Sequence, residues 1–319
     1  MMESMIFDIA RLVLGLLFLI GGGNYLVKGG TELALRYRIS PMVVGLTVIA
    51  FGTSAPELLV SVTAAFQGSP DLAMGNVVGS NICNLALVLG TTVVITPIVV
   101  QKSTLKVDWP ATFGASVLLV LLVQGGVLTA LEGALLFGTL IIYLTYQVWK
   151  SKKNPHIPEE VAEVMEAGIK GTVWKDILWM ALGGLGLYFG SDWFVEGAQN
   201  IAKAFSVPER VIGLTVVALG TSLPELATSV IAARKNQVDM ALGNLLGSNI
   251  FNILSILGIT AMISPISVNA SFIDNDMYWM LGVTAIIFPM MWIGKKVGRI
   301  DGLILLAVYF LYTYLVLAN

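Results

Sequence analysis

The sequence predicts an all-α integral membrane protein with ten transmembrane helices in two inverted five-helix repeats. Three observations support this fold class: an apolar composition, a segment duplicated between the two halves, and a one-sided distribution of Lys and Arg. Hydrophobic residues make up 56% of the chain and charged residues 12%, about half of the roughly 25% found in soluble domains. Ten apolar runs of about 20 residues, each long enough to span the hydrocarbon core, use most of the 319 residues. We therefore expect a multi-pass protein of the cell membrane.

The duplicated segment runs from Gly45 to Gly90 and recurs without a gap from Gly213 to Gly258, 168 residues later. The two copies are identical at 26 of 46 positions, and the identities cluster in the patterns GTSxPEL and GNxxGSNIxN. The first helix of each half matches at the same offset. These matches divide the chain into an N-terminal repeat, a short cytoplasmic connecting loop and a C-terminal repeat, at residues 1–150, 151–173 and 174–319.

The five helices of each repeat differ in their expected regularity. The first is long and rich in glycine, which lets two helices approach closely. The second contains Pro56 in mid-span, where the missing N–H and the ring clash predict a break. The third is expected to be interrupted at Gly79, Ser80 and Asn81. We expect the first five helices at about residues 7–35, 42–66, 71–95, 107–123 and 127–149. The second repeat follows the same order from helix 6, at about residues 176–205, so the predicted broken helices are 2, 3, 7 and 8.

The positions of Lys and Arg predict the orientation, because these residues are retained on the cytoplasmic side. With the central connection inside, 15 of the 18 Lys and Arg residues lie at inside ends. Both termini then lie outside the cytoplasm. Each repeat has five crossings, an odd number, so the homologous repeats enter the membrane with opposite orientations.

Each copy of the duplicated segment places one glutamate, Glu57 or Glu225, inside an otherwise apolar run. A carboxylate within a membrane is costly and indicates a function. In transporters with inverted repeats, paired broken helices form ion sites near the bilayer midplane. In this sequence, hydroxyl and amide groups accompany both glutamates at helical spacings that let their oxygens converge. The predicted ligands are Thr53, Ser54, Glu57, Ser80 and Asn84 in the first copy and Thr221, Ser222, Glu225, Ser248 and Asn252 in the second. Such an all-oxygen set favours Ca²⁺ and Na⁺, and the lack of a Cys or His cluster argues against zinc or copper.

A local structural explanation exists for the same residues. The patterns Ser54-x-x-Glu57 and Ser222-x-x-Glu225 each match a capping box, which starts a helix. We favour the ion site because the pattern lies near mid-span in both halves and recurs together with GSNxxN, and we expect the capping role in addition.

The remaining polar residues of note have structural interpretations. Asp71 and Asp239 are expected to be N-caps at helix starts near the membrane surface. The single cysteine, Cys83, is expected to be a packing residue, since the second copy has phenylalanine there. The single histidine, His156, lies in the polar central loop and is expected to be solvated.

The patterns GTSxPE and GNxxGSNxxN in two inverted copies resemble the alpha repeats of the sodium/calcium exchangers, within the calcium:cation antiporter superfamily. The resemblance covers essentially the whole chain. It implies a diamond-shaped core of helices 2, 3, 7 and 8 around the ions, past which helices 1 and 6 slide. It also implies that Glu57 and Glu225 are shared calcium ligands, that the hydroxyl groups bind sodium or calcium, and that Asn84 and Asn252 close the central site. The backbone ligands that it adds are the carbonyls of Ala50 and Ala218.

The function predicted from these features is Na⁺/Ca²⁺ antiport by alternating access. The protein is not expected to be an enzyme, to need a cofactor, to bind nucleic acid or to require a protein partner; its partners are Na⁺, Ca²⁺ and the lipid bilayer. A proton/calcium antiporter is the nearest alternative, but that branch reads GNxxE where this chain reads GTSxPE. The potassium-dependent branch has aspartate where this chain has Asn252, which favours K⁺-independent exchange. A cation channel and a membrane enzyme are more remote, since no HExxH or GxSxG pattern occurs.

Overall fold

The computed structural model describes residues 2–37, 39–153, 172–205 and 218–318, most of which are helical. His156 and most of the predicted connecting loop lie outside these ranges. The helices of the described residues are α1 Met2–Tyr37, α2 Pro41–Thr53, α3 Ala55–Phe66, α4 Pro70–Ile95, α5 Thr104–Gly125, α6 Ala130–Lys153, α7 Val173–Ala204, α8 Ala218–Thr221, α9 Leu223–Arg234, α10 Val238–Ile263, α11 Met277–Trp292 and α12 Arg299–Ala318. The described residues also form four two-residue strands: β1 Ile98–Val99, β2 Val127–Leu128, β3 Ile266–Ser267 and β4 Lys296–Val297.

Six of the described helices are long and apolar enough to cross a membrane, and the bent pair α2–α3 brings the number to seven. This confirms the prediction of a helical multi-pass membrane protein. The innermost helices are α4 and α10, because 72% and 83% of their apolar windows are buried, against 17% for α1 and α12. The large apolar side chains left exposed on α1 and α12 suit contact with lipid.

The helices α1 and α7 pack against each other along their length in antiparallel register, and glycines line the contact. A Cβ atom built on Gly22 would lie 2.6 Å from the backbone nitrogen of Leu187, and one on Gly15 would lie 2.6 Å from the nitrogen of Phe194. In return, a Cβ on Gly183 would lie 2.5 Å from the nitrogen of Leu26. The two backbones touch with no room for a side chain, so the predicted close approach of the glycine-rich helices is confirmed.

The predicted break of the second helix is present at Ser54, between α2 and α3, where the axis bends by 46°. Pro56 lies in the first turn of α3, a position where its missing N–H is not needed for helical bonding. The second half repeats the break: Ser222 separates α8 from α9, and Pro224 lies in the first turn of α9.

The predicted interruption of helices 3 and 8 is wrong. The helix continues from Pro70 through Gly79, Ser80 and Asn81 to Ile82, and its counterpart continues from Val238 to Ile250. No proline occurs within either run after its first residue, and a helical glycine costs only about 1 kcal/mol relative to alanine, which tertiary packing overcomes. The irregularity lies just beyond, where both helices widen into π-helical segments. The π-helical segments of the described residues are Gly45–Ile49, Cys83–Val88, Thr104–Asp108, Phe251–Leu257 and Phe272–Asp276.

Two small antiparallel ladders connect the halves. Strand β1, after α4, pairs with β4, before α12, and β2, before α6, pairs with β3, after α10. Residues 127–128, predicted to begin helix 5, form β2 instead, and α6 begins at Ala130. Each ladder pairs a strand of the first half with a strand of the second half, so backbone hydrogen bonds connect the two repeats at both places.

Candidate functional site

The two helix breaks meet at the centre of the molecule, next to α4 and α10. Thr53 and Ser54 lie at the end of α2, and Glu57 lies in the first turn of α3. In the second half, Ser222 directly precedes α9 and Glu225 lies in its first turn. Proline in the first turn of α3 and α9 fixes where each second half-helix begins. Both glutamates are 0% exposed, and two carboxylates that share a buried region repel each other when both are ionised.

Hydrogen bonds join the break of the first half to the carboxylate of the second. The hydroxyl of Ser54 donates to Glu225 Oε1 at 3.3 Å, and the hydroxyl of Ser248 on α10 donates to the same oxygen at 3.4 Å. Thr53 Oγ1 lies 3.3 Å from Ser248 Oγ and 3.2 Å from Asn244 Oδ1. The structure therefore brings Thr53, Ser54, Ser248 and Glu225, all of them predicted ligands, into one cluster that joins the two halves.

The expected capping boxes do not form at either break. Ser54 and Ser222 occupy the N-cap positions of α3 and α9, but neither side chain makes a capping hydrogen bond. Ser54 instead donates to the carboxylate of the other half. A capping box does form at the start of α6, where Thr129 N–H donates to Glu132 at 2.7 Å and Glu132 N–H donates to Thr129 Oγ1 at 3.4 Å.

Several buried oxygens at the breaks and on α4 and α10 have no donor among the described residues. They are both carboxylate oxygens of Glu57, Oε2 of Glu225, Oδ1 of Asn84, Oδ1 of Asn252 and the hydroxyl oxygen of Ser222. A buried acceptor without a donor costs about 1–3 kcal/mol, and more when it is charged. A cation satisfies such acceptors directly, and an all-oxygen set with two carboxylates suits a hard ion such as Ca²⁺ or Na⁺.

The other predicted ligands are placed as follows. Ser80 is buried on α4, and Ala50 is buried in α2, where its carbonyl accepts from Thr53 Oγ1 at 3.3 Å. Thr221 is half-buried at the end of α8, whose first residue is Ala218. A cavity of 380 Å³ with a mainly apolar lining reaches the break of the second half and is lined in part by Ser222.

Two pairs of asparagines missed as candidates also belong to this region. Asn76 donates to the backbone carbonyl of Glu57 at 3.1 Å and to the hydroxyl of Ser61 at 2.9 Å. Its counterpart Asn244 donates to Ser229 at 3.0 Å, so both asparagines tie the central helices to the half-helices that carry the glutamates. The second pair is Asn81 and Asn249, which bond to the predicted ligands Asn252 and Asn84. The signal was present in the sequence, because all four asparagines belong to the GNxxGSN pattern of both copies.

Asp71 and Asp239 are not N-caps, contrary to the prediction. The N-cap positions of α4 and α10 are Ser69 and Gln237, and each aspartate lies in the first turn of its helix. A carboxylate there still interacts favourably with the helix dipole. Asp239 also accepts a hydrogen bond from the side chain of Gln101.

The single cysteine, Cys83, is buried, as expected of a packing residue.

Comparison with known proteins gives a consistent result over both halves. The sequence model of a family described as "Sodium/calcium exchanger protein" matches residues 7–149 and 175–318. The chain is 39% identical to "Putative antiporter CaxA" of Alkalimonas amylolytica over 96% of its own length and 98% of the relative's. It is 31% identical to "Sodium/calcium exchanger MaX1" of Methanosarcina acetivorans, with 93% and 95% of the two chains covered. A solved structure of the sodium-calcium exchanger NCX_Mj superposes with a TM-score of 0.83 at 32% identity, covering 96% of this chain and 97% of that one.

Proposed function

Because the chain belongs to the sodium/calcium exchanger family, we propose that it exchanges Na⁺ for Ca²⁺ across the membrane by alternating access. Family membership makes it a transporter and not an enzyme, as predicted from the sequence. The observation that carries the proposal is the group of buried oxygens, those of Glu57 and Glu225 among them, that have no donor in the part of the chain that the structure describes. They supply charge and coordination for the transported ions without any cofactor.

The proposed binding residues come from both repeats. Glu57 and Glu225 contribute up to two negative charges, which matches one Ca²⁺ or two Na⁺. The neutral ligands of the proposal are the side chains of Thr53, Ser54, Ser80, Asn84, Thr221, Ser222, Ser248 and Asn252 and the carbonyls of Ala50 and Ala218. Since a hydroxyl can present its lone pairs to an ion, the hydroxyls that now donate to Glu225 would turn toward the cation when it is bound.

Coupling between the two ions follows from the electrostatics of the empty site. Two carboxylates in a region shielded from water repel each other, and each costs several kcal/mol of desolvation when it is ionised and unpaired. Loading with Ca²⁺ or with Na⁺ removes that cost. The loaded protein can then expose its site to either side of the membrane, whereas the empty ionised site opposes the change, so each ion moves only in exchange for the other.

The proposed topology has ten crossings, with α2–α3 and α8–α9 each counted as one broken span. The antiparallel packing of the homologous helices α1 and α7 supports inversion, since helices related by a parallel repeat would run in the same direction. The ladders agree, because β1 with β4 and β2 with β3 must each lie on one side of the membrane. With the central connection in the cytoplasm, both termini lie outside and the ladder containing Lys296 lies inside.

Sodium-driven Ca²⁺ uptake into proteoliposomes tests the proposal. Vesicles loaded with Na⁺ and diluted into Na⁺-free medium should take up Ca²⁺, and the uptake should saturate and stop when the Na⁺ gradient is removed. Uptake driven equally by a proton gradient would indicate a proton/calcium antiporter. Passive flux that neither saturates nor needs counter-ions would indicate a channel.

A further inference from the structure

Four buried asparagines, two of which are proposed ion ligands, form hydrogen bonds that cross between the halves. Asn84 Nδ2 donates to Asn249 Oδ1 at 3.4 Å, and Asn252 Nδ2 donates to Asn81 Oδ1 at 3.1 Å. The two bonds are equivalent, since the 168-residue offset relates Asn84 to Asn252 and Asn81 to Asn249. A third bond, from Asn81 Nδ2 to the backbone carbonyl of Asn249 at 3.3 Å, fixes Asn81 itself. All four side chains are at most 1% exposed.

These bonds determine which end of each amide is available to an ion. A carboxamide has a donor end and an acceptor end, and only the oxygen can bind a cation. In Asn84 and Asn252 the nitrogen is used by the bond across the halves, and the oxygen is left buried without a donor among the described residues. If the bond were absent, the amide could turn by half a rotation and place its NH₂ group where its oxygen now lies, which would remove a cation ligand.

We propose that Asn81 and Asn249 are positioning residues that hold the amides of Asn252 and Asn84 with their oxygens toward the transported ion. This inference rests on the proposed function, because it presumes a cation at the site. It also means that each half orients an amide ligand of the other, so a complete site requires both repeats.

The test is a double-mutant cycle on Asn249 and Asn84, with initial rates of sodium-driven Ca²⁺ uptake measured over a range of Ca²⁺ concentrations. Asn249→Ala should raise the KM for Ca²⁺ about 10-fold and leave kcat within about twofold, because it weakens one ligand without removing charge. In an Asn84→Ala background there is no amide left to orient. The same substitution should then raise KM less than about twofold further. Thr92→Val, which removes a buried hydrogen bond to the carbonyl of Val88 elsewhere on α4, is the matched control and should leave KM unchanged.

An Asn249→Ala effect of equal size in both backgrounds would assign Asn249 a general structural role and overturn the proposal, as would an unchanged KM in the single variant. If Asn249→Ala does not give folded protein, Asn249→Asp retains an oxygen for the Asn84 amide and should not raise KM. A 10-fold rise in that folded variant also overturns the proposal. The equivalent cycle on Asn81 and Asn252 provides an independent repetition.

Failure of the proposed function is separable from failure of this inference. A wild-type protein that takes up no Ca²⁺ under a Na⁺ gradient contradicts the exchange function. In that case, equilibrium binding of ⁴⁵Ca²⁺ to purified protein measures the same cycle, with the expected 10-fold change in the dissociation constant and the same non-additivity.

Discussion

The contact between α1 and α7 allows a sharp test of the packing, because neighbouring glycines on one helix have opposite surroundings. A Cβ atom on Gly183 would lie 2.5 Å from the nitrogen and 2.8 Å from the Cα of Leu26, whereas one on Gly184 would meet nothing within 4 Å. Ordinary contact begins at 3.4 Å, so Gly183→Ala requires the two backbones to separate by roughly 0.9 Å. Overpacking of this kind costs about 1–3 kcal/mol, while Gly184→Ala should stabilise the helix by about 0.5–1 kcal/mol. The two variants should therefore differ by about 1.5–4 kcal/mol in the free energy of unfolding.

Thermal unfolding of purified protein in detergent measures this difference. Cys83 is the only cysteine of the chain and is buried, so a dye that fluoresces on reaction with thiols reports unfolding without any engineered label. Gly183→Ala should lower the midpoint by about 2–8 °C, and Gly184→Ala should leave it unchanged or raise it slightly.

Helix α1 supplies a second matched pair of neighbouring glycines. A Cβ on Gly22 would lie 2.6 Å from the nitrogen of Leu187, and one on Gly21 would meet nothing within 4 Å. Gly22→Ala should therefore behave like Gly183→Ala, and Gly21→Ala like Gly184→Ala. Equal midpoints for Gly183→Ala and Gly184→Ala would refute the reasoning, since they would show that the backbone contact does not limit the packing of α1 against α7.

Three further outcomes are expected from the proposed function. Glu57→Gln or Glu225→Gln should lower Ca²⁺ uptake on the order of 100-fold, because one charge is lost from a buried ionic site, while the melting midpoint without ions should not fall, since the repulsion between the carboxylates is removed; near-normal uptake would remove the glutamates from the site. In a Cys83→Ser background, cysteines introduced at the exposed positions Lys153 and Ala318 should react with a membrane-impermeant reagent from opposite sides, and reaction from one side would contradict the odd number of crossings. Replacing external K⁺ by N-methylglucamine should leave sodium-driven Ca²⁺ uptake unchanged, because Asn252 adds a dipole and no charge to the site; a strict K⁺ requirement would refute this.

The features predicted correctly from sequence have local causes or repeat within the chain. A proline in the middle of a helix breaks it, so Pro56 locates the bend at Ser54 to within two residues. Glycines at a helix surface allow close packing, and the contact of Gly22 with α7 confirms it. Glu57 and Glu225 are buried as the apolar runs around them indicate, and their role as ion ligands stays a prediction.

The features missed depend on contacts between distant parts of the chain. A two-residue strand has no periodicity to detect, and β1 finds its partner β4 almost 200 residues away. The π-helical segment at Cys83 contains no residue that signals it, and glycine at position 79 does not break the helix, because the packing around it offsets its low helix propensity. Asn81 and Asn249 belong to the repeated pattern, but the positioning role that we propose for them depends on the hydrogen bonds across the halves, which the sequence does not reveal.

The pattern of a hydroxyl residue followed three positions later by glutamate shows why local sequence alone could not identify the partners in the site. At Thr129-x-x-Glu132 the pattern forms a capping box, as the local geometry favours. At Ser54-x-x-Glu57 the serine hydroxyl has a second acceptor, a carboxylate oxygen of the other half. A hydrogen bond to a charged group contributes about 1.5–3 kcal/mol, more than the roughly 1 kcal/mol of a typical cap, so the bond across the halves prevails. The backbone N–H groups at the start of α3 therefore receive no side-chain cap from Ser54. The break at Ser54 is instead joined to the second half through Glu225, the carboxylate that we propose as an ion ligand.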